Sequence, residues 1–319
     1  MKLINLIAIP LLTLFDFVCR ILPSQRAINR VGRALGGVNF RLQGRRKAIA
    51  LNNLALIFGD KWSAEKRKQI ARASFDSVGV LYFEGLWEPE KHGVEFNEWA
   101  RCEGLEHLEA AHQQGKGVVL ACPHLGNWMV LCRAIARHGY RFDGLMRAPD
   151  IPAIRGYVDR KTTELGFRPT PTPLPKGGFA KIIDQLGDDG TVFMMVADRR
   201  ANDYLVDFLG QPAWTAHGAV TMHLRSGAPI VTAYAVREGD HHRLIFEPAI
   251  VHTPTDDRDA DTVAILKQIN DRFSAMIRQY PEQWLWMHER WRGRRKGQKL
   301  AAAEPAAADT NKELDAVDK

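Results

Sequence analysis

The sequence predicts an α/β protein with a mixed, mostly parallel central sheet flanked by helices. Three observations predict it. From about residue 117 onward, short apolar runs alternate with segments of helical period, the pattern of strands joined by helical crossovers. One apolar run leads directly into His124 and then into a helical segment, the place where open α/β sheets carry their chemistry. The composition, 45% hydrophobic and 25% charged over 319 residues, suits a chain that buries a full core.

The first element, residues 3–22, is strongly apolar but interrupted by Asn5, Pro10, Asp16 and Arg20. A clean spanning helix needs about 20 apolar residues with few charges. A cleaved leader needs small residues after its apolar run, where this chain has Ile21-Leu22-Pro23. The expectation is a retained N-terminal membrane-associated helix over 1–23, shallowly inserted or marginally spanning. Arg26, Arg30, Arg33, Arg41, Arg45 and Arg46 would then face an anionic membrane surface on the cytoplasmic side. An ordinary buried helix is the alternative.

Residues 24–91 read as helices. Ser63 with Glu65 gives an N-cap and first-turn acid for a helix reaching about Trp87. Residues 103–114 form a further helix, ended by Gly115. Strand-like runs then fall at 117–122, 142–147, 191–197, 205–209, 230–237 and 244–250. Helical runs fall at 127–137, 151–165, 179–186, 215–225 and 260–279. The proline-rich stretch 169–175 reads as a rigid extended connector. Lys176-Gly177-Gly178 lacks the spacing of a phosphate loop and reads as a turn into a helix. The Ala-rich, acidic stretch 300–319 reads as a disordered tail. The chain thus divides into an anchor, 1–23, a main domain, 24–299, and the tail.

The net charge of +7 points to anionic partners: nucleic acid, anionic lipid or an acidic carrier protein. A second basic cluster runs from Arg290 and Arg292 to Lys299, as a solvated tail or a membrane contact. No zinc, helix-turn-helix or RNA-binding signature is present, so nucleic acid is not an expected partner. Cys19, Cys102, Cys122 and Cys132 fit neither a disulfide framework nor a zinc site. His217, His223, His241, His242 and His288 lack metal-ligand spacing, so neither metal nor cofactor is expected. Cys122 could be a nucleophile, but at the end of an apolar strand it reads as a small buried residue.

The chemistry concentrates in Pro123-His124-Leu125-Gly126-Asn127-Trp128-Met129. An imidazole titrates near neutral pH and can take a proton from an attacking hydroxyl. Gly126 would allow close substrate approach, and Asn127 with the helix amides would offer donors to an anion. A carboxylate five residues after the histidine could hold the ring's other nitrogen, yet that position is Met129.

His124-Leu125-Gly126-Asn127-Trp128 resembles the His-x4-Glu/Asp block of the bacterial lipid A late acyltransferases, which belong with the wider glycerolipid acyltransferase fold. Residues 145–152, with Arg147, look like the family's segment after its second strand, and Arg160 and Gly166 match its next helix and turn. Residues 196–199, 206–215 and 281–291 are similar to its later regions, so the resemblance spans about residues 3–295. It implies transfer of an acyl chain from acyl carrier protein or acyl-CoA, as co-substrate, to a hydroxyl of a lipid A precursor or related lipid. The setting would be the cytoplasmic face of a bacterial inner membrane. His124 would be the general base, with Arg147 the first candidate and Arg160 the second for a cation on the oxyanion or a substrate phosphate. Asp198 ends a strand and is a further candidate. Gly126, Asn127 and Arg160 would bind substrate. Trp284, Trp286 and Trp291 read as core anchors.

Met129 leaves three readings open. His124 acts alone at reduced rate, another carboxylate such as Asp150 or Asp198 replaces the missing acid, or the protein is an impaired paralogue that binds lipid or carrier without acyl transfer. Under the first two, Met129→Glu is expected to raise turnover.

Overall fold

Helical period in the first hundred residues becomes five helices: α1 (Lys2–Ile21), α2 (Gln25–Leu42), α3 (Gly44–Phe58), α4 (Ala64–Leu86) and the short α5 (Phe96–Trp99). The structure, a computed structural model, describes residues 2–147, 149–188 and 190–292. Two serines fix helix entries here. Ser24 Oγ accepts from Ala27 N at 3.3 Å and Ser63 Oγ accepts from Lys66 N at 3.2 Å, each cap worth about 1 kcal/mol.

The remaining elements are β1 (Ala100–Glu103), α6 (Leu105–His112), β2 (Val118–Cys122), α7 (Trp128–Arg137), β3 (Phe142–Arg147), α8 (Pro152–Glu164), β4 (Phe167–Thr172), α9 (Gly178–Asp188), β5 (Val192–Val196), β6 (Arg200–Phe208), β7 (Gln211–Thr215), α10 (Gly218–Ser226), β8 (Ile230–Glu238), β9 (His241–Phe246) and α11 (Arg258–Gln279). The main sheet runs β1-β9-β8-β2-β5-β3-β4, and β6 with β7 forms a separate antiparallel ribbon. Within the main sheet only β8–β9 is antiparallel. The mixed, mostly parallel sheet expected from the sequence is therefore the architecture observed.

Both faces of this sheet are covered, as continuous apolar strands require. Along β2, Val119 and Ala121 enter the core that holds Phe208, Phe273, Trp284 and Trp286. Val118, Leu120 and Cys122 enter the opposite core, with Trp87, Trp99, Phe142 and Phe167.

Two local expectations change, and one strand is added. The proline-rich connector instead contributes edge strand β4, paired in parallel with β3. Pro169 and Pro171 occupy alternate positions, so their missing N–H groups fall on the unpaired edge while Arg168, Thr170 and Thr172 face β3. Residue 215, expected to start a helix, ends β7, and α10 begins at Gly218. The four-residue strand β1 was too short for its alternation to show in the sequence.

Helix α1 contains Pro10 and packs on α8 and α4: Lys161 Nζ lies 2.6 Å from Asp16 Oδ1, and the Phe15 and Phe83 rings stand 4.9 Å apart. Ile9, Leu11, Leu14, Phe17 and Ile21 of α1 remain exposed. Among the described residues, no helix is long and apolar enough to cross a membrane. The tail expected at 300–319 and most of the second basic cluster lie outside the described residues.

Candidate active site

Strands β2 and β5 are parallel neighbours, and Cys122 pairs with Val196 at their last register position. Two residues further along each chain come His124 and Asp198, so the sheet itself delivers both to one carboxyl-end crevice. His124 Nδ1 lies 2.7 Å from Asp198 Oδ1. Asp198 Oδ2 accepts from His124 N at 2.7 Å and from Trp284 Nε1 at 2.7 Å. Burial alone would raise the Asp198 carboxyl, but the His124 ring and amide and the Trp284 donor outweigh it and hold the pKa at about 2. The carboxylate is thus ionised, buried and fully engaged. It fixes the ring and keeps a proton on Nδ1, which leaves Nε2 as the basic nitrogen. The His124 side chain remains 23% exposed, open to a substrate.

The sequence weighed Asp150 and Asp198 as stand-ins for the acid missing at 129, and it is Asp198 that meets His124. Asp150 is exposed on the loop after β3, 3.8 Å from Arg147. Arg147, at the carboxyl end of β3, shares the sheet edge with His124 but stands two strand spacings away, about 10 Å. Its side chain is exposed, and the structure does not bring it to the imidazole. Arg160 is exposed on α8, its guanidinium over the Tyr157 ring.

Gly126 and Asn127 take framework positions rather than the substrate contacts expected of them. Gly126 has φ +64° and lies against β8, where a Cβ would fall 1.8 Å from the Ala235 carbonyl oxygen. Asn127 is fully buried: Oδ1 caps α7 by accepting from Met129 N, and Nδ2 donates to the Leu81 carbonyl and to Glu84 Oε2. No face of its amide is left for an anion.

Glu84 is the hub beneath this loop. Arg237 grips its carboxylate through Nε and Nη2, each at 2.5 Å. Gln25 Nε2 donates to Oε1 at 2.5 Å, and His242 Nε2 lies 3.4 Å away. Burial opposes ionisation, yet Arg237 and His242 drive the Glu84 carboxyl well below the usual carboxylate range. The hub ties α2, α4, the α7 cap and strands β8 and β9 to the His124 loop. The sequence reading missed it, although a charge between Phe83 and Trp87 in an apolar helix signals a buried partner.

Arg290, grouped in the sequence with a basic surface run, is instead wholly interior. It donates to the Trp214 carbonyl at 2.6 Å and to Thr215 Oγ1 at 2.8 Å, over the Phe208 ring. Burial lowers its pKa to about 10 against the pull of Asp198. His288 sits with its ring centroid 5.4 Å from that of His124. Burial, together with the nearby His124, Arg199 and Arg46, pushes the His288 pKa down to about 4, so it is neutral where His124 would work. Cys122 is buried, and burial with Asp198 nearby pushes its thiol far up, which removes it as a nucleophile. Among the described residues no group of side chains could hold a metal ion.

The model of the bacterial lipid A biosynthesis acyltransferase family matches residues 6–293. The phosphatidylinositol mannoside acyltransferase of Mycolicibacterium smegmatis is 27% identical over 242 residues, covering 75% of this chain and 77% of that one. The lipid A biosynthesis palmitoleoyltransferase of Escherichia coli is 25% identical over 283 residues, covering 84% and 86%. Among solved structures, the 1-acyl-sn-glycerophosphate acyltransferase of Thermotoga maritima is similar at a TM-score of 0.35 and 11% identity, covering 73% of this chain and 97% of that one.

Proposed function

The chain belongs to the bacterial lipid A biosynthesis acyltransferase family, and from that premise we propose that it moves a fatty acyl chain from a thioester donor to a hydroxyl of a membrane lipid. The acceptor is a lipid A precursor or a related glycolipid, in keeping with relatives that act in lipid A and phosphatidylinositol mannoside acylation. Acyl carrier protein is the proposed donor, with acyl-CoA as the other form, and the cytoplasmic face of the inner membrane is the proposed setting. The exposed apolar residues of α1 beside Arg26 and Arg30 support contact with an anionic lipid surface.

The observation that carries the reading is the 2.7 Å contact between His124 Nδ1 and Asp198. With Nδ1 committed, Nε2 takes the proton of the acceptor hydroxyl as its oxygen attacks the thioester carbon. That attack forms the new C–O bond of a tetrahedral intermediate, whose collapse breaks the C–S bond and restores the carbonyl of the ester. The imidazolium, stabilised by Asp198, returns its proton to the departing thiolate. Met129 is then no obstacle, because Asp198 supplies the anionic helper from the neighbouring strand.

The test is acyl transfer by the purified chain from acyl carrier protein thioesters and acyl-CoA to a lipid A precursor and to a phosphatidylinositol mannoside, read by mass spectrometry. Product that disappears in His124→Ala supports the reading. Wild type inert across every donor and acceptor overturns it.

A further inference from the structure

Trp284 follows α11 and is buried, its ring set among Phe208, Trp286 and Trp291 at centroid distances of 5.6, 4.6 and 5.9 Å. An indole N–H can only donate, and this one meets Asp198 Oδ2 at 2.7 Å. The backbone that carries the ring is fixed on three sides. Ser74 Oγ on α4 donates to the Trp284 carbonyl at 2.6 Å. Leu125, next to His124, bridges to Trp284, and Gly126 N donates to the Gln283 carbonyl at 3.1 Å. The Gln283 side chain holds the Arg237 backbone on β8, accepting from its N at 2.8 Å and donating to its carbonyl at 2.9 Å.

Three donors meet the Asp198 carboxylate, and two of them, the amide and the ring Nδ1, belong to His124 itself. A carboxylate held by those two alone could shift together with the ring it aims. Among the described residues the indole is the one donor to this carboxylate from outside the histidine. The contacts close a circuit. His124 binds Asp198, Asp198 binds the indole, and the Trp284 backbone returns to Leu125 beside His124. A buried polar network with every member satisfied is rigid.

We propose that Trp284 is a positioning residue for acyl transfer: its N–H pins the Asp198 carboxylate, and through it the imidazole, so that Nε2 faces the acceptor hydroxyl. This rests on the acyl-transfer reading above and adds to it a residue that acts through Asp198 rather than on the substrate. Loss of the N–H leaves Oδ2 short of a donor and frees the carboxylate to turn. The cost falls on turnover, because the indole is interior and the substrate-facing edge of the ring is unchanged.

The experiment compares Trp284→Phe, which removes the N–H, with Trp286→Phe. Trp286 is also buried, but its Nε1 donates to the Pro281 carbonyl, so this second variant loses similar packing without touching Asp198. Proton NMR of the full chain reads the downfield resonance of the His124 Nδ1–H, identified by its absence in His124→Ala, and acyl-transfer rates are taken in parallel. In Trp284→Phe the resonance is expected to be lost to exchange, with kcat at least about tenfold lower and KM within about twofold of wild type. Trp286→Phe is expected to keep both the resonance and the turnover per folded molecule. Placing 3-benzothienylalanine, an indole isostere without the N–H, at position 284 repeats the test at full ring volume should the Phe variant not fold. Four outcomes overturn the proposal. Wild type shows no such resonance, the Trp284 variant keeps it, Trp286→Phe loses it as well, or the Trp284 variant keeps the kcat of wild type. The resonance needs no substrate, so failure of acyl transfer and failure of this role are read separately.

Discussion

Met129 and Gly85 fill one volume between α7 and α4: a Cβ added to Gly85 would fall 2.5 Å from the Met129 sulfur. The side chain at 129 therefore points into the helix interface, while the His124 ring turns to β5 and Asp198. An acid restored at 129 would not find Nδ1, the nitrogen an orienting carboxylate must hold, free, since it is already bonded to Asp198. It would meet apolar packing and lie one residue from the ionised Glu84.

Met129→Glu is thus expected to destabilise the fold by about 2–4 kcal/mol and to leave turnover unimproved. This reverses the expectation drawn from the sequence alone. Urea denaturation with parallel acyl-transfer rates checks it, and a faster variant of unchanged stability would refute it.

Asp198→Asn keeps the shape of the dyad but removes its charge. The amide can still orient a ring, yet it cannot stabilise the imidazolium that forms during attack. Turnover is expected to fall by about 10³–10⁴, with KM little changed. Steady-state kinetics at saturating donor separate the two parameters, and a loss confined to KM would contradict the assignment.

Glu84→Gln tests the framework under the site. It leaves the Arg237 guanidinium, 9% exposed, without its counter-ion. The expected cost is about 3–5 kcal/mol. Activity should fall with the folded fraction, because Asn127 and the His124 loop hang from the same carboxylate. A thermal shift smaller than that of a surface Glu→Gln control, such as Glu109→Gln, would show the hub to be dispensable.

How much of this was legible in the sequence depends on which physical relation carried the information. His124 and Asp198 could each be singled out because each follows an apolar strand of a parallel sheet. Their pairing could not, because strand order is set by long-range contacts, and nothing in the periodicity says that β5 returns to lie beside β2. The same blindness hid the Glu84–Arg237 pair, which joins positions 153 residues apart. It also made Arg290 look like part of a surface run, because the neighbouring arginines extend the charge pattern past the buried one. Gly126 was legible as a special residue, but the backbone it accommodates is that of β8.

His288 gives the protein a signature in acid. Its folded pKa, about 4, is depressed below the usual histidine value near 6.5 by burial and by the surrounding cations. A depressed pKa means that the unfolded chain binds the proton more readily. Stability from this group is therefore whole above about pH 6.5 and is lost as the pH falls toward 4. The loss amounts to at most about 3 kcal/mol for a group buried to this degree. Denaturation midpoints for wild type and His288→Gln, measured between pH 7 and pH 4, should converge in acid. The variant's curve should lack the part of the decline that begins near pH 6.5, and parallel curves would show that His288 titrates normally in the folded protein.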